Sequence, residues 1–130
     1  MTLTLVRRWF EKLPSYERDL PLLISNGMAY TPRATLDEVE RNTELGRKLQ
    51  SLIEMKTVGT LVGEEQTLAK LRLEELLKRM PDKPLFATLQ IPPKTYTPRE
   101  LSQEVEMNTP VGRQWINAEK KQMSYLVSLR

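Results

Sequence analysis

The chain contains no histidine and no cysteine. The first absence removes the commonest general base and the commonest metal ligand. The second removes disulfides, thiolate metal sites and thiol nucleophiles. Most hydrolytic triads, zinc sites and histidine phosphotransfer sites are excluded together. Aromatic residues make up only 6% of the 130 positions, so Leu, Ile, Val and Met must build most of the core. No apolar run approaches the roughly 18 residues that span a bilayer. Met1 to Pro14 is interrupted by Arg7 and Arg8 and lacks the layout of a signal peptide. The chain reads as cytoplasmic, or as housed inside a virion or large assembly.

The composition itself is ordinary. An apolar share of 39% and a charged share of 28% suit a foldable chain with a modest core. A net charge of +3 fits nucleic acid, anionic lipid or an acidic protein, and selects none of them.

Self-comparison is more informative. Residues 30–47 read YTPRATLDEVERNTELGR and residues 96–113 read YTPRELSQEVEMNTPVGR, identical at 11 of 18 positions. Chance gives roughly one such identity. Upstream, Pro21 to Ser25 faces Pro84 to Thr88. A helical pattern ending before a proline precedes each, Leu5 to Leu13 and Leu68 to Met80. The runs Thr57 to Val62 and Tyr125 to Leu129 follow and read as short strands. The expected fold is therefore mainly α with short β segments. It consists of two tandem copies of a helix–strand–helical-hairpin–strand unit, residues 1–63 and 64–130, packed as one compact body. Leu68, Leu71, Leu76 and Leu77 lie on the helix expected between them.

Each repeated residue has a local physical reading. Thr31-Pro32 and Thr97-Pro98 start a helix, with Thr as N-cap and Pro at the first turn. Asn42 and Asn108 end it, because Asn tolerates a left-handed backbone. Thr43 and Thr109 then cap a second helix. The apolar spacing puts Leu36 and Val39, or Leu101 and Val105, on the inner face of the first helix. Leu45, Leu49, Leu52 and Ile53 form the stripe of the second in copy one, and Val111 and Trp115 begin it in copy two. Gly46 and Gly112 disfavour a helix by about 1 kcal/mol relative to Ala, so another backbone is expected to pass close to them. The repeated charges Arg33/Arg99, Glu40/Glu106 and Arg47/Arg113 have two readings: a salt-bridge set bracing each hairpin, or arginines facing phosphate.

The stretch YTPRELSQEVEMNTPVGRQWINAEKKQMSYLVSLR, with its capped helix, turn, second capped helix and β-like tail, resembles a winged-helix domain. Residues 30–62 resemble it less closely. Glu40 and Glu106 stand where that family has a turn glycine. The resemblance to tandem winged-helix or helix-turn-helix domains implies DNA or RNA as partner, with the second helix in a major groove. The contacts it implies are Arg113, Gln114, Asn117, Lys120 and Lys121, with Arg47, Lys48 and Gln50 as counterparts in copy one.

The competing reading is a structural or assembly adaptor that binds protein within a larger complex, or a homo-oligomer. Leu20 to Ser25 and Pro84 to Gln90 could pair with a partner's strand. Leu5, Trp9 and Phe10, on the apolar face of the first helix, could dock on a partner or simply fill the core; with Arg7, Arg8 and Lys12 that helix could also lie on a membrane surface. Catalysis is not expected. Asp37, Glu38 and Glu40 point in different directions on one helix, and no phosphate loop or metal-ligand spacing is present. No cofactor is expected.

Overall fold

A computed structural model describes residues 2–88 and 92–130. Six α-helices are found among them: α1 (Thr2–Lys12), α2 (Pro32–Glu40), α3 (Glu44–Glu54), α4 (Glu64–Arg79), α5 (Pro98–Glu106) and α6 (Pro110–Val127). Two small antiparallel strand pairs precede the hairpins. One joins β1 (Leu23–Ser25) to β2 (Met28–Tyr30); the other joins β3 (Phe86–Ala87) to β4 (Thr95–Tyr96). The fold is thus mainly α with short β segments.

Each strand pair delivers a repeated tyrosine to the start of a helix. Leu23 lies opposite Tyr30, and Phe86 lies opposite Tyr96. The β1–β2 turn is Asn26-Gly27, with φ of 52° and 76°. That left-handed pair matches the twist of a two-residue hairpin. On its other edge β1 is already occupied, since Ile24 N–H donates to the Val58 carbonyl at 2.8 Å. Strand capture by a partner at β1 would have to displace that bond. Pro84 to Gln90, the second segment read as extended, contributes only Phe86–Ala87 as strand, and its last two residues lie outside the described residues.

The two hairpins are built alike. Thr31 Oγ1 accepts from Ala34 N–H and Thr97 Oγ1 accepts from Glu100 N–H; Glu100 also closes a capping box on Thr97. Asn42 and Asn108 turn the chain with φ of 55° and 53°. Thr43 and Thr109 then cap Gly46 and Gly112 N–H at 2.9 and 3.1 Å. A Cβ on Gly46 would collide with the Glu38 carbonyl, and one on Gly112 with the Glu104 carbonyl. The glycines are therefore points where the first helix's backbone presses on the second, as their place inside a helix leads one to expect.

Two expected strands are not formed. Tyr125 to Val127 belongs to α6, because Met123, Leu126 and Val127 continue the helical spacing begun by Trp115, Ile116 and Glu119 into the core. Thr57 to Val62 is a connecting loop. Only its Val58 is buried, and Thr60 and Leu61 N–H both donate to the Glu64 carboxylate at 2.9 and 2.7 Å. Gly63, left-handed at φ 86°, leads into α4.

One hydrophobic cluster runs through both halves, from Val6, Trp9 and Leu13 through Leu49, Ile53 and Leu68 to Leu101, Met123 and Leu126. Full burial of one such Leu contributes about 1.5–3 kcal/mol. Trp9 is fully buried and its Nε1–H donates to the Leu126 carbonyl at 2.9 Å. Arg130 donates to the Ile53 carbonyl at 2.6 Å. On α4, Leu68 and Leu73 are buried, while Leu71, Leu76 and Leu77 are half-buried. In α2 the most buried position is Thr35 rather than Leu36; its hydroxyl donates to the Thr31 carbonyl and so enters the core already satisfied.

Candidate nucleic-acid interface and central cleft

The eight residues implied as nucleic-acid contacts separate into two groups. In the second hairpin, Arg113, Asn117 and Lys120 line one groove of about 210 Å³, together with Gln66 of α4 and Asn108 of the turn. The helical repeat of 3.6 residues places these three on one face. Gln114 and Lys121, a heptad apart, form the adjoining exposed face. Lys120 also borders a neighbouring recess shared with Lys56 and Glu65. A basic and amide-bearing strip therefore runs along α6 toward the loop after α3.

In the first hairpin the counterparts are dispersed. Lys48 stands 3.9 Å from Glu44, and Gln50 Nε2 donates to Glu54 Oε1 at 2.9 Å. Arg47 and Arg113 have the same local task. Each donates through Nη1 to the carbonyl of the turn asparagine, Asn42 at 3.0 Å and Asn108 at 2.6 Å. These bonds satisfy a carbonyl at the sharp turn, which explains an arginine in both hairpins without any ligand.

The repeated charges do not brace the hairpins by pairing with one another. Arg33 meets Asp19 at 2.8 Å, Arg7 meets Glu40 at 3.4 Å, and Arg99 lies 3.9 Å from Asp82. The hydrogen bond from Arg33, aided by its charge, holds the Asp19 carboxyl below its ordinary value. Each YTPR arginine thus reaches back to an aspartate of the preceding segment.

The three residues considered for protein docking part company. Trp9 is in the core. Phe10 is half-buried beneath the guanidiniums of Arg18 and Arg33, 4.8 and 5.5 Å from its ring centre. Leu5 is half-buried.

A second site has almost no signature in the sequence. Arg72 lies four residues after Leu68 on the inward face of α4, and is only 2% exposed. Its Nη2 donates to Glu17 and its Nε to Glu119, each at 2.8 Å, and its Nη1 donates to the Pro21 carbonyl at 2.9 Å. Burial is the largest single influence and opposes its charge. The two carboxylates outweigh burial, and Arg72 is held above its ordinary value as a fixed cation. Its one signal is a charged residue in register with an apolar stripe. Its partners, 55 positions before it and 47 after, carry none. Beside this ion set opens a cleft of about 690 Å³ whose apolar wall includes Leu20, Leu76, Leu85 and Trp115.

Comparison with protein families, curated proteins and solved structures gives no match. Among the described residues no helix is long and apolar enough to cross a membrane, and no group of three or more acidic side chains is placed to hold a metal ion.

Proposed function

We propose that this chain is a non-catalytic macromolecule-binding protein that holds nucleic acid against α6. We further propose that its halves, 1–63 and 64–130, derive from one duplicated unit. The observation carrying the first reading is the convergence of Arg113, Asn117 and Lys120 in one groove, with Gln114 and Lys121 beside it. Lys and Arg neutralise phosphate, while Asn and Gln can read adenine edges. Lys48 and Gln50 each have a neighbouring acid on their own helix, Glu44 and Glu54, which favours the second hairpin as the contact. The duplication rests on the 11 shared residues of residues 30–47 and 96–113, and on their sharing the same caps, turn and close glycine.

The test is a salt titration of binding to a generic duplex and to single-stranded DNA. The variant is Lys120→Ala/Lys121→Ala, which leaves the turn bond of Arg113 intact. Binding should weaken steeply with salt. In the variant the slope of log affinity against log salt should shrink by about one for each phosphate no longer neutralised. Absence of binding at low salt removes nucleic acid.

The second reading is an assembly adaptor. It is favoured by Leu61 and Val62, 67% and 106% exposed in the loop before α4, and by Met55, 59% exposed in the same groove as Leu61. If nucleic acid fails, Leu61→Ser/Val62→Ser should abolish any association of the chain seen by sedimentation.

A further inference from the structure

The central cleft is unlike the α6 strip in every respect. Its wall is largely apolar, and its charged lining holds three carboxylates, Glu17, Asp19 and Glu119, against two guanidiniums, Arg72 and Arg79. Among the lining residues themselves one carboxylate is in excess; outside them Asp19 is met by Arg33, with Arg18 also acting on it, and Arg79 by Glu75. The position of that excess is visible in the hydrogen bonding. Glu17 is 3% exposed and gives Oε2 to Arg72, while its Oε1 is buried with no donor. Trp115, also in the lining, is 7% exposed, and its Nε1–H has no acceptor. These are the only buried side-chain polar atoms without a partner among the described residues, and both belong to residues of this one cavity. Buried polar groups are ordinarily paired, so the lining of this one cavity lacks a donor for Glu17 and an acceptor for Trp115.

We propose that the cleft binds a small organic amine with an apolar body. The ammonium would pair with the surplus carboxylate and draw Glu17 Oε1 out toward the cleft to accept from it, a charge-assisted bond of the stronger kind. The apolar body would fill the wall formed by Leu20, Leu76 and Leu85, in a cavity of about 690 Å³, within the range of small-molecule sites. An oxygen carried on the ligand would accept from Trp115 Nε1–H. Anionic ligands are disfavoured by the same surplus. This site is therefore separate from the proposed nucleic-acid surface, and its test does not depend on that reading.

The chain has two tryptophans, so indole N–H resonances give two reporters. Trp9, bonded to Leu126, serves as the internal control. The full chain would be titrated with 2-phenylethylamine, with 2-phenylethanol and with phenylacetate. The amine should shift the Trp115 resonance saturably and leave that of Trp9 in place, with the alcohol and the carboxylate weaker by about tenfold or more. In Glu17→Gln the preference for amine over alcohol should fall to about threefold or less. Leu76→Lys, which places a cation in the apolar wall and leaves the ion set untouched, should lower the affinity of the amine by about tenfold or more and decides the matter if Glu17→Gln does not fold. The proposal is overturned if 2-phenylethylamine gives no saturable Trp115 shift, if phenylacetate binds as well, or if Leu76→Lys binds the amine unchanged.

Discussion

The α2–α3 and α5–α6 hairpins use the same residues for the same local purpose and then diverge. Thr, Pro, Asn, Thr and Gly start, stop, turn and press the helices together in both. The second helices then differ. α3 has 11 residues and sets Lys48 and Gln50 beside its own acids. α6 has 18 and leaves Asn117, Lys120 and Lys121 outside the ion pairs of the described residues. At the matched inner position, α2 carries Thr35 and α5 carries Leu101, both fully buried. The shared residues set a turn geometry, whereas packing and surface chemistry differ around it. The Arg72 ion set that joins the halves belongs to neither shared segment.

The largest effect is expected from removing that join. Arg72→Ala should lower stability to urea by about 3–5 kcal/mol, because Glu17 and Glu119 are left charged and buried. The triple replacement Glu17→Leu/Arg72→Met/Glu119→Leu should recover most of the loss, since no uncompensated charge remains. A loss below about 1 kcal/mol for Arg72→Ala would mean that the set is solvated and does not join the halves.

A smaller effect tests whether the hairpins are one device. In a free helix Gly→Ala gains about 1 kcal/mol. Gly46→Ala and Gly112→Ala should instead each lose about 1–3 kcal/mol by overpacking, because backbone stands where the new methyl must go. Denaturation midpoints that rise in either variant would show that its helices are not in close contact.

The smallest effect concerns the YTPR arginines. Asp19 is held below its ordinary 3.8 by Arg33, so the pair's contribution is fully present above 3.8 and is lost as pH falls through the lowered folded value. Asp19→Asn should therefore lower the thermal midpoint slightly near neutral pH and make no difference in strong acid. The longer Arg99–Asp82 approach, at 3.9 Å, should be less sensitive still to Asp82→Asn. An equal or larger effect at Asp82 would reverse the order.

Much of this is legible in the residues, and the reasons differ by element. The hairpins can be read because capping, a left-handed Asn and a buried Gly act within one or two turns of chain. The β1–β2 hairpin is signalled by Asn26-Gly27 between apolar residues, a cue that treating Pro21 to Ser25 as a single extended segment passes over. Tyr125 to Leu129 misleads because aromatic and β-branched residues favour strands in isolation, while the helical spacing from Trp115 onward settles the conformation. Of the implied contacts, Arg113, Asn117 and Lys120 share a face because they lie on one helix. The pairing of Lys48 with Glu44 also lies within reach of helical spacing.

Where the repeated helices begin, turn and touch is written in the amino-acid sequence, since those interactions join residues at most a few positions apart. The rest belongs to tertiary packing. It buries Arg72 between carboxylates 55 and 47 residues away, places the Trp9 indole on a carbonyl 117 residues distant, and sets Glu17 and Trp115 around one cleft. Such partners are chosen by how whole elements pack, and neither helical nor strand periodicity carries information over that range.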